Sequence, residues 1–479
     1  MLLGASGGAL GATTLYVAPF GNDNGAGTRA SPFKTIQRAI DHAIAGDTIQ
    51  IADGVYNERL RSRVAGTAVD PITISGERAG SATLTFEQAS LLVVSHPHIH
   101  VKNLVFDGRF AKHDLIRVLP QADFFVLENS VVMNGAKDGI DLGNAAATVS
   151  ANFDYLENVV IADSEFRNFL ARDILGNRVD AHGIVAGGIR HFTISQSLVH
   201  MVSGDALQLA NGNWDDVSVV KVRFSNGLID SELARLTGFE RGINPGENAI
   251  DTKQDARLPV RGRLSIREST FNGWRGDLIS NAAALNLKEK VSVSIDACDL
   301  FDNEIAMRLR GSGASDIGAH VIARNNVVYD NDKALRVEDN LRESRLLNNT
   351  FAGPGSFEFV AGGAASDFFA ANNLVLAAAL PGQFPGHLNL AVDESGFLQD
   401  AAHRFSLAAS SPAIDSATTL SEVAVDRLGV SRPQGLSYDY GAFEYQASTN
   451  TLAIPSFGQV AVFAGVVLPA IRMMRKRQP

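Results

Sequence analysis

A five-residue pattern of small, apolar, variable, apolar, variable positions returns along the chain. It reads GIDLG at 139–143, GIVAG at 183–187, ALQLA at 206–210 and AIDTK at 249–253, then ALNLK at 284–288, AMRLR at 306–310, ALRVE at 334–338 and SFEFV at 356–360. Apolar residues at every second position predict a short strand with one buried face. Successive copies are 44, 23, 43, 35, 22, 28 and 22 residues apart. The shortest step is one coil, and a longer step is a coil with a loop inserted or two coils. A second ladder runs between the copies: Asn129, Ser164, Ser197, Ser269, Cys298, Asn325, Asn349 and Asn372, each three residues after an apolar position such as Ile194 or Ile266. Small polar side chains at a fixed place suit a turn, where they satisfy backbone groups from coil to coil. Short strands and a polar turn every 22 or so residues predict an all-β solenoid, a parallel β-helix. Ile140, Leu142, Ile250 and Leu287 then point inward.

A solenoid must cover its open ends. Phe33, Ile36, Ile40 and Ile44 recur at helical spacing within 31–45, which predicts an N-terminal capping helix, with the first strand at 47–51. The body spans 13–445. Residues 1–12 are small and apolar and have the character of a secretory signal that lacks its charged start. Residues 446–453 form a polar linker. Residues 454–479 combine an apolar run containing Pro469 with the basic cluster Arg472, Arg475, Lys476 and Arg477. This tail resembles the C-terminal sorting signals of bacterial envelope proteins. It implies a secreted or envelope location, with membrane contact through the tail only.

The chain has 479 residues, 45% of them hydrophobic and 20% charged, and a net charge of −10. Those values exclude general disorder, and the acidic balance argues against a nucleic-acid partner. Cys298 is the only cysteine, so an internal disulfide and a thiolate zinc site are excluded; in the polar ladder it reads as structural. Twenty-six phenylalanines predict ring stacking in the core.

The outward positions form two columns. The first runs Asp141, Val185, Gln208, Asp251, Asn286, Arg308, Arg336, Glu358; the second runs Gly143, Gly187, Ala210, Lys253, Lys288, Arg310, Glu338, Val360. Lys253, Lys288, Arg308, Arg310 and Arg336 fall within about three strand spacings, roughly 15 Å. Like charges stacked this closely repel. Interleaved acids, with Glu289, Asp339 and Glu343 as loop candidates, or a bound polyanion would offset that cost. An extended acidic polysaccharide fits such a strip, bound by a monomeric protein. In a uronate polymer the proton beside the carboxylate can be removed and the 4-linked sugar expelled. That chemistry needs the carboxylate neutralised and a base supplied. A lysine among other cations has a lowered pKa, and Lys253, facing Lys288, answers that description.

The entry segments GDTI at 46–49 and DGVY at 53–56 resemble the start of secreted right-handed β-helix proteins. The segments SPAID at 411–415, RP at 432–433 and GAFEY at 441–445 resemble the way such proteins close. The segment GENAIDTK at 246–253 resembles the base-bearing strand of β-helix polysaccharide lyases, of the alginate lyase and chondroitinase B family and in the pectate-lyase style. The resemblance implies Lys253 as base, with Lys288 standing where that family has an arginine acid, and Arg308 on the next coil. Glu247 is the carried member of an acidic pair, displaced by one residue. Substrate contacts are expected from Arg310, Arg336, His182, Gln208, Asn286 and Trp214, the last in a loop beside the groove with Asp215 and Asp216. Asp205, Glu247, Asn248 and Asp251 form a candidate calcium site, calcium wanting six to eight oxygens. His96, His98 and His100 alternate far from Lys253 and read as surface. Two alternatives stand beside the lyase: a glycoside hydrolase using Asp141, Asp205 or Asp251, and a non-catalytic binder of acidic exopolysaccharide.

Overall fold

Alternation sorts the repeat segments as expected. Ile140, Leu142, Ile184, Ile250, Leu285, Leu287, Met307 and Leu335 are all fully buried. Stacked coil on coil, these side chains form one continuous core, and Phe224 and Phe271 stack within it at 5.2 Å. The computed structural model describes residues 11–143, 154–210, 213–254, 260–311, 318–338, 341, 343–353, 355–360, 368–398 and 405–446. They form a right-handed parallel β-helix with three long sheets. One has thirteen strands, from Thr14–Val17 to Phe368–Ala371. Another has eleven, from Leu60–Arg61 to Ser356–Phe359, and the third has thirteen, from Gly54–Asn57 to Leu390–Val392. All pairings inside these sheets are parallel; among the described strands, only the hairpin Ala171–Arg172 with Arg178–Val179 is antiparallel. Compact packing divides the chain at Tyr445. The signal-like residues 1–10, Asp339, and all of the linker and tail after Gln446 lie outside the described residues.

Each repeat segment pairs with the next, so every long step is a single coil with an insertion. The step from Ile140 to Ile184 carries the hairpin; the step from Leu207 to Ile250 carries the helix Ser231–Thr237, N-capped by Asp230.

The polar ladder differs from expectation by one residue in three coils. The stacking members are Ser130, Ser164, Ser197, Ser269, Cys298, Asn326, Asn349, Asn373 and Asn389. Each side chain of the Asn series accepts the backbone N–H of the residue one coil earlier: Asn326 from Cys298 at 2.9 Å, Asn349 from Asn326 at 3.0 Å, Asn373 from Asn349 at 3.0 Å. Asn129, Asn325 and Asn372 stand one place earlier, with φ of 48°, 57° and 58°. They form the left-handed corner that turns the chain, a conformation Asn tolerates better than most residues. Cys298 keeps its structural place, and burial pushes its thiol up to about 12.

The entry also differs. The helix is only Ile36–Ile40, N-capped by Thr35, and the sheet begins before it, at Thr14–Val17, which pairs with Thr48–Ile51. At the far end Arg432 is buried. It donates to the carbonyls of Asp439 and Gly441, tying the closing loops to one another.

Candidate active site

Strand register confirms the first outward column pair by pair: Asp141 opposite Val185, Val185 opposite Gln208, Gln208 opposite Asp251, Asp251 opposite Asn286, Asn286 opposite Arg308, Arg308 opposite Arg336, and Arg336 opposite Glu358. Arg117 extends it at the N-terminal side, opposite Asp141. All lie on the eleven-stranded sheet.

At the centre sits Asp251, only 2% exposed. Its Oδ1 is 2.9 Å from Lys288 Nζ and accepts the Asn286 amide at 2.8 Å; its Oδ2 is 3.4 Å from Lys253 Nζ. One carboxylate thus holds two ammonium groups from adjacent coils. Lys253 is the more open, with 30% of its side chain exposed against 17% for Lys288. Two residues of the core set the strand ends. Thr252 points inward where its neighbours carry leucine. Its hydroxyl donates to the Lys288 carbonyl at 3.0 Å and accepts the Lys288 N–H at 2.9 Å. The Trp214 indole donates to the Lys253 carbonyl at 3.0 Å.

The lysine is not the low-pKa base expected. Burial favours the neutral amine, but the charges of Asp251, Asp205 and Glu247 outweigh burial and raise the Lys253 pKa above its ordinary value. Its neighbour Lys288 is offset by Asp251, so the crowded cations do not act on Lys253 unopposed.

The arginines are organised in the same way around Glu338. Arg308 makes a two-pronged contact, Nε and Nη2 each 3.0 Å from a carboxylate oxygen. Arg336 pairs with Glu338 as well, and its Nη1 reaches Glu358 at 3.0 Å. Arg310 Nε lies 3.2 Å from Glu338 as an ion pair without a hydrogen-bond angle. Burial opposes the charge on Glu338, yet the Arg308 and Arg336 guanidiniums hold its pKa below the usual carboxylate value. Five cations therefore share three carboxylates, Asp251, Glu338 and Glu358, and the strip stays positive. The interleaved acids come mostly from the columns, not from loops; Glu289 instead accepts the Gln254 N–H.

Beside it, His182 and Asp205 with Gln208, from the two preceding coils, join Asn248 of the Asp251 strand in a second network. The Asp205 N–H donates to His182 Nδ1 at 2.8 Å. Asp205 accepts from Gln208 at 3.0 Å and Asn248 at 2.8 Å. Burial, then the charges of Asp251 and Glu247, push Asp205 well above the ordinary carboxyl pKa. Asp138 accepts the His182 N–H at 2.9 Å, and burial raises its pKa to about 6. Glu247 is held by Arg178 at 3.3 Å.

These contacts decide how the candidate calcium ligands fit. The oxygens of Asp205 and Asp251 already face amide and ammonium donors. Among the described residues, no three His, Cys, Asp or Glu side chains converge to hold a metal ion. Asp205, Glu247, Asn248 and Asp251 as arranged do not fit calcium, and no step is routed through it.

Two of the expected sugar contacts, Trp214 and Asn286, are buried. Trp214 is 1% exposed and begins the strand Trp214–Val220, which includes Asp215 and Asp216, so it packs inside and cannot stack on a sugar. Asn286 is 3% exposed and serves Asp251, not a ligand. The three histidines share no site: His96 bonds Ser62, His98 stacks on Phe124, and His100 lies in the strand Ile99–Lys102. Sequence reading missed Thr252 and Arg178. A polar residue at an inward alternation position was the signal for Thr252; for Arg178 there was none.

The family described as Pel9A-like, right handed beta helix region, matches residues 15–184, which ends before the strand of Lys253. The uncharacterized protein YwoF of Bacillus subtilis (strain 168) is 32% identical over 101 residues, 21% of this chain and 20% of that protein. Pectate lyase PEL9 of Emericella nidulans is 34% identical over 79 residues, 16% of this chain and 19% of that protein. The chain thus spans about a fifth of the length of these relatives. Among solved structures, pectate lyase Pel9A superposes with a TM-score of 0.53 at 15% identity, covering 91% of this chain and 96% of that one. A rhamnogalacturonan lyase gives 0.52 at 14% identity, covering 81% and 90%. XylC in complex with xylose gives 0.52 at 12%, covering 90% and 98%. These similarities establish the fold.

Proposed function

We propose that this protein is a polysaccharide lyase that cleaves a uronate-containing polysaccharide on the outward face of the eleven-stranded sheet. The observation that carries the reading is the cationic strip. Lys253 and Lys288, each directly after its strand, and Arg308, Arg310 and Arg336 span four consecutive coils and are only partly neutralised by Asp251, Glu338 and Glu358. A chain of carboxylated sugars laid across the strands would meet a cation at each step of about 4.8 Å. The similarity to a pectate lyase and a rhamnogalacturonan lyase supports the class of reaction.

The chemistry follows from the charges. A base takes the proton on the carbon next to the substrate carboxylate. The electron pair of that C–H bond forms the new double bond, the bond to the 4-linked oxygen breaks, and an acid protonates the departing oxygen. Lys253 is the base on this reading, because it is the more exposed lysine and the farther from Asp251. Lys288, held 2.9 Å from Asp251, supplies electrostatic stabilisation or the proton. Arg308 and Arg336, locked by Glu338, present fixed positive charge at no cost in reorganisation. The hydrolase alternative is not favoured: Asp205 and Asp251 are 1% and 2% exposed and spend their oxygens on internal donors.

The test is incubation with a panel of uronate polymers, following the ultraviolet absorbance of the unsaturated product. A rise on one of them is expected. New reducing ends without absorbance would replace the reading by hydrolysis. Retention on a polymer with neither change would replace it by binding alone.

A further inference from the structure

The corner between Asp205 and Asp251 has the composition of a cation site but not its geometry. The orientation of Asn248 is fixed by the main chain: its Oδ1 accepts the Ala283 N–H at 3.2 Å, so its amino group faces Asp205, donating at 2.8 Å. Turning that amide to offer oxygen would leave a buried N–H without an acceptor. The Gln208 amide likewise presents its amino group to Asp205, at 3.0 Å. Asp251 faces the ammonium groups of Lys288 and Lys253. A divalent ion needs oxygens converging on a point. Here two carboxylates meet three amino groups and two ammonium groups, and the position an ion would take is filled by fixed positive charge.

We infer that an anionic sugar is held here by the Lys288 ammonium beside Lys253, with Asp251 as the positioning residue of both lysines, and that no divalent cation enters the corner between Asp205 and Asp251. Naming the anion as a uronate rests on the reading above; exclusion of the cation rests on donor geometry alone. Two consequences follow. Oligouronate affinity is independent of calcium. It also falls as salt rises, because the contact is between a partly exposed ammonium and a carboxylate.

Calorimetry on the full chain, freed of divalent ions, separates the two parts. Calcium chloride alone is titrated first. No saturable uptake is expected. Uptake lost in Asp251→Asn overturns the inference, and so does uptake weakened in Glu247→Gln, a half-exposed carboxylate at the same corner whose loss leaves the buried network intact. Uptake equal in wild type and both variants lies elsewhere and leaves the inference standing. Tetragalacturonate is then titrated in chelator and in calcium. Equal affinity is expected, with a loss of about tenfold in Lys288→Ala. A calcium-dependent gain of about tenfold or more overturns the inference. If tetragalacturonate does not bind and calcium does not either, the uronate reading fails while exclusion of the cation holds.

Discussion

Asp251 governs what Lys253 can do. A lysine whose pKa is raised is almost wholly protonated at neutral pH, and its neutral fraction grows about tenfold per pH unit until the pKa is reached. If Lys253 is the base, kcat/KM for elimination should climb steadily from neutral into alkaline pH. A rate already level at pH 7 would exclude it. Asp251→Asn removes the nearest negative charge, so the same rise should move to lower pH; a structural role for Asp251 alone would change the rate without moving the profile. Asp138 offers a stability counterpart. Its folded pKa of about 6 lies above the unfolded value of about 3.9. The folded state therefore binds the proton more tightly. The resulting stabilisation is complete below about pH 4 and is lost as pH rises to about 6. Asp138→Asn, which keeps an acceptor for the His182 N–H, should remove that dependence. Melting curves should show wild type losing on the order of 2 kcal/mol relative to the variant across this interval. Parallel curves would contradict the burial argument.

At the scale of the strand and turn, periodicity carried the prediction far. The outward columns were legible residue by residue, because alternation leaves no freedom once one inward residue is known. The turn ladder was legible to within one position. Two polar residues adjoin at each turn, Asn325 and Asn326 or Asn372 and Asn373, and spacing alone does not say which bends the chain and which stacks. Trp214 was misread for a similar reason: a large aromatic beside two aspartates looks like a loop, whereas φ of 54° at Asp216 lets the strand continue past an outward residue. The polarity of the site was the least legible. Asp251 and Lys253 were both visible, but their separation was not, and Lys288 made Lys253 look like a cation among cations. The ladder also makes a prediction. Asn349 donates to Ala323 and Asn373 and accepts from Asn326. Asn349→Ala would strand the Ala323 carbonyl and the Asn326 N–H on the preceding coil and should cost about 2–4 kcal/mol, read as a lowered denaturant midpoint. Thr252→Val, nearly the same shape, should cost about 1–3 kcal/mol by freeing the Lys288 N–H and carbonyl, and should lower elimination by loosening Lys288.

The described solenoid has one continuous core along its coils and carries a positive strip on its eleven-stranded sheet. A chain of net charge −10 whose solenoid keeps a positive strip must neutralise it locally, and Asp251 and Glu338 do so without filling it. The helix Ser231–Thr237 enters just before the strand of Lys253, and the hairpin, which enters two strands earlier, is tied by Arg178 to Pro245 and Glu247. Fold class was readable because every coil repeats it; the site was not, because it occurs once. The family match ends at residue 184, so the chemistry near Lys253 stands on its own geometry. The most direct measurement compares wild type and Lys253→Ala on the same uronate polymer, recording unsaturated product and polymer affinity together. The account predicts that elimination disappears while affinity changes by only a few fold, since Lys288, Arg308, Arg310 and Arg336 remain. Elimination that persists in Lys253→Ala would contradict it.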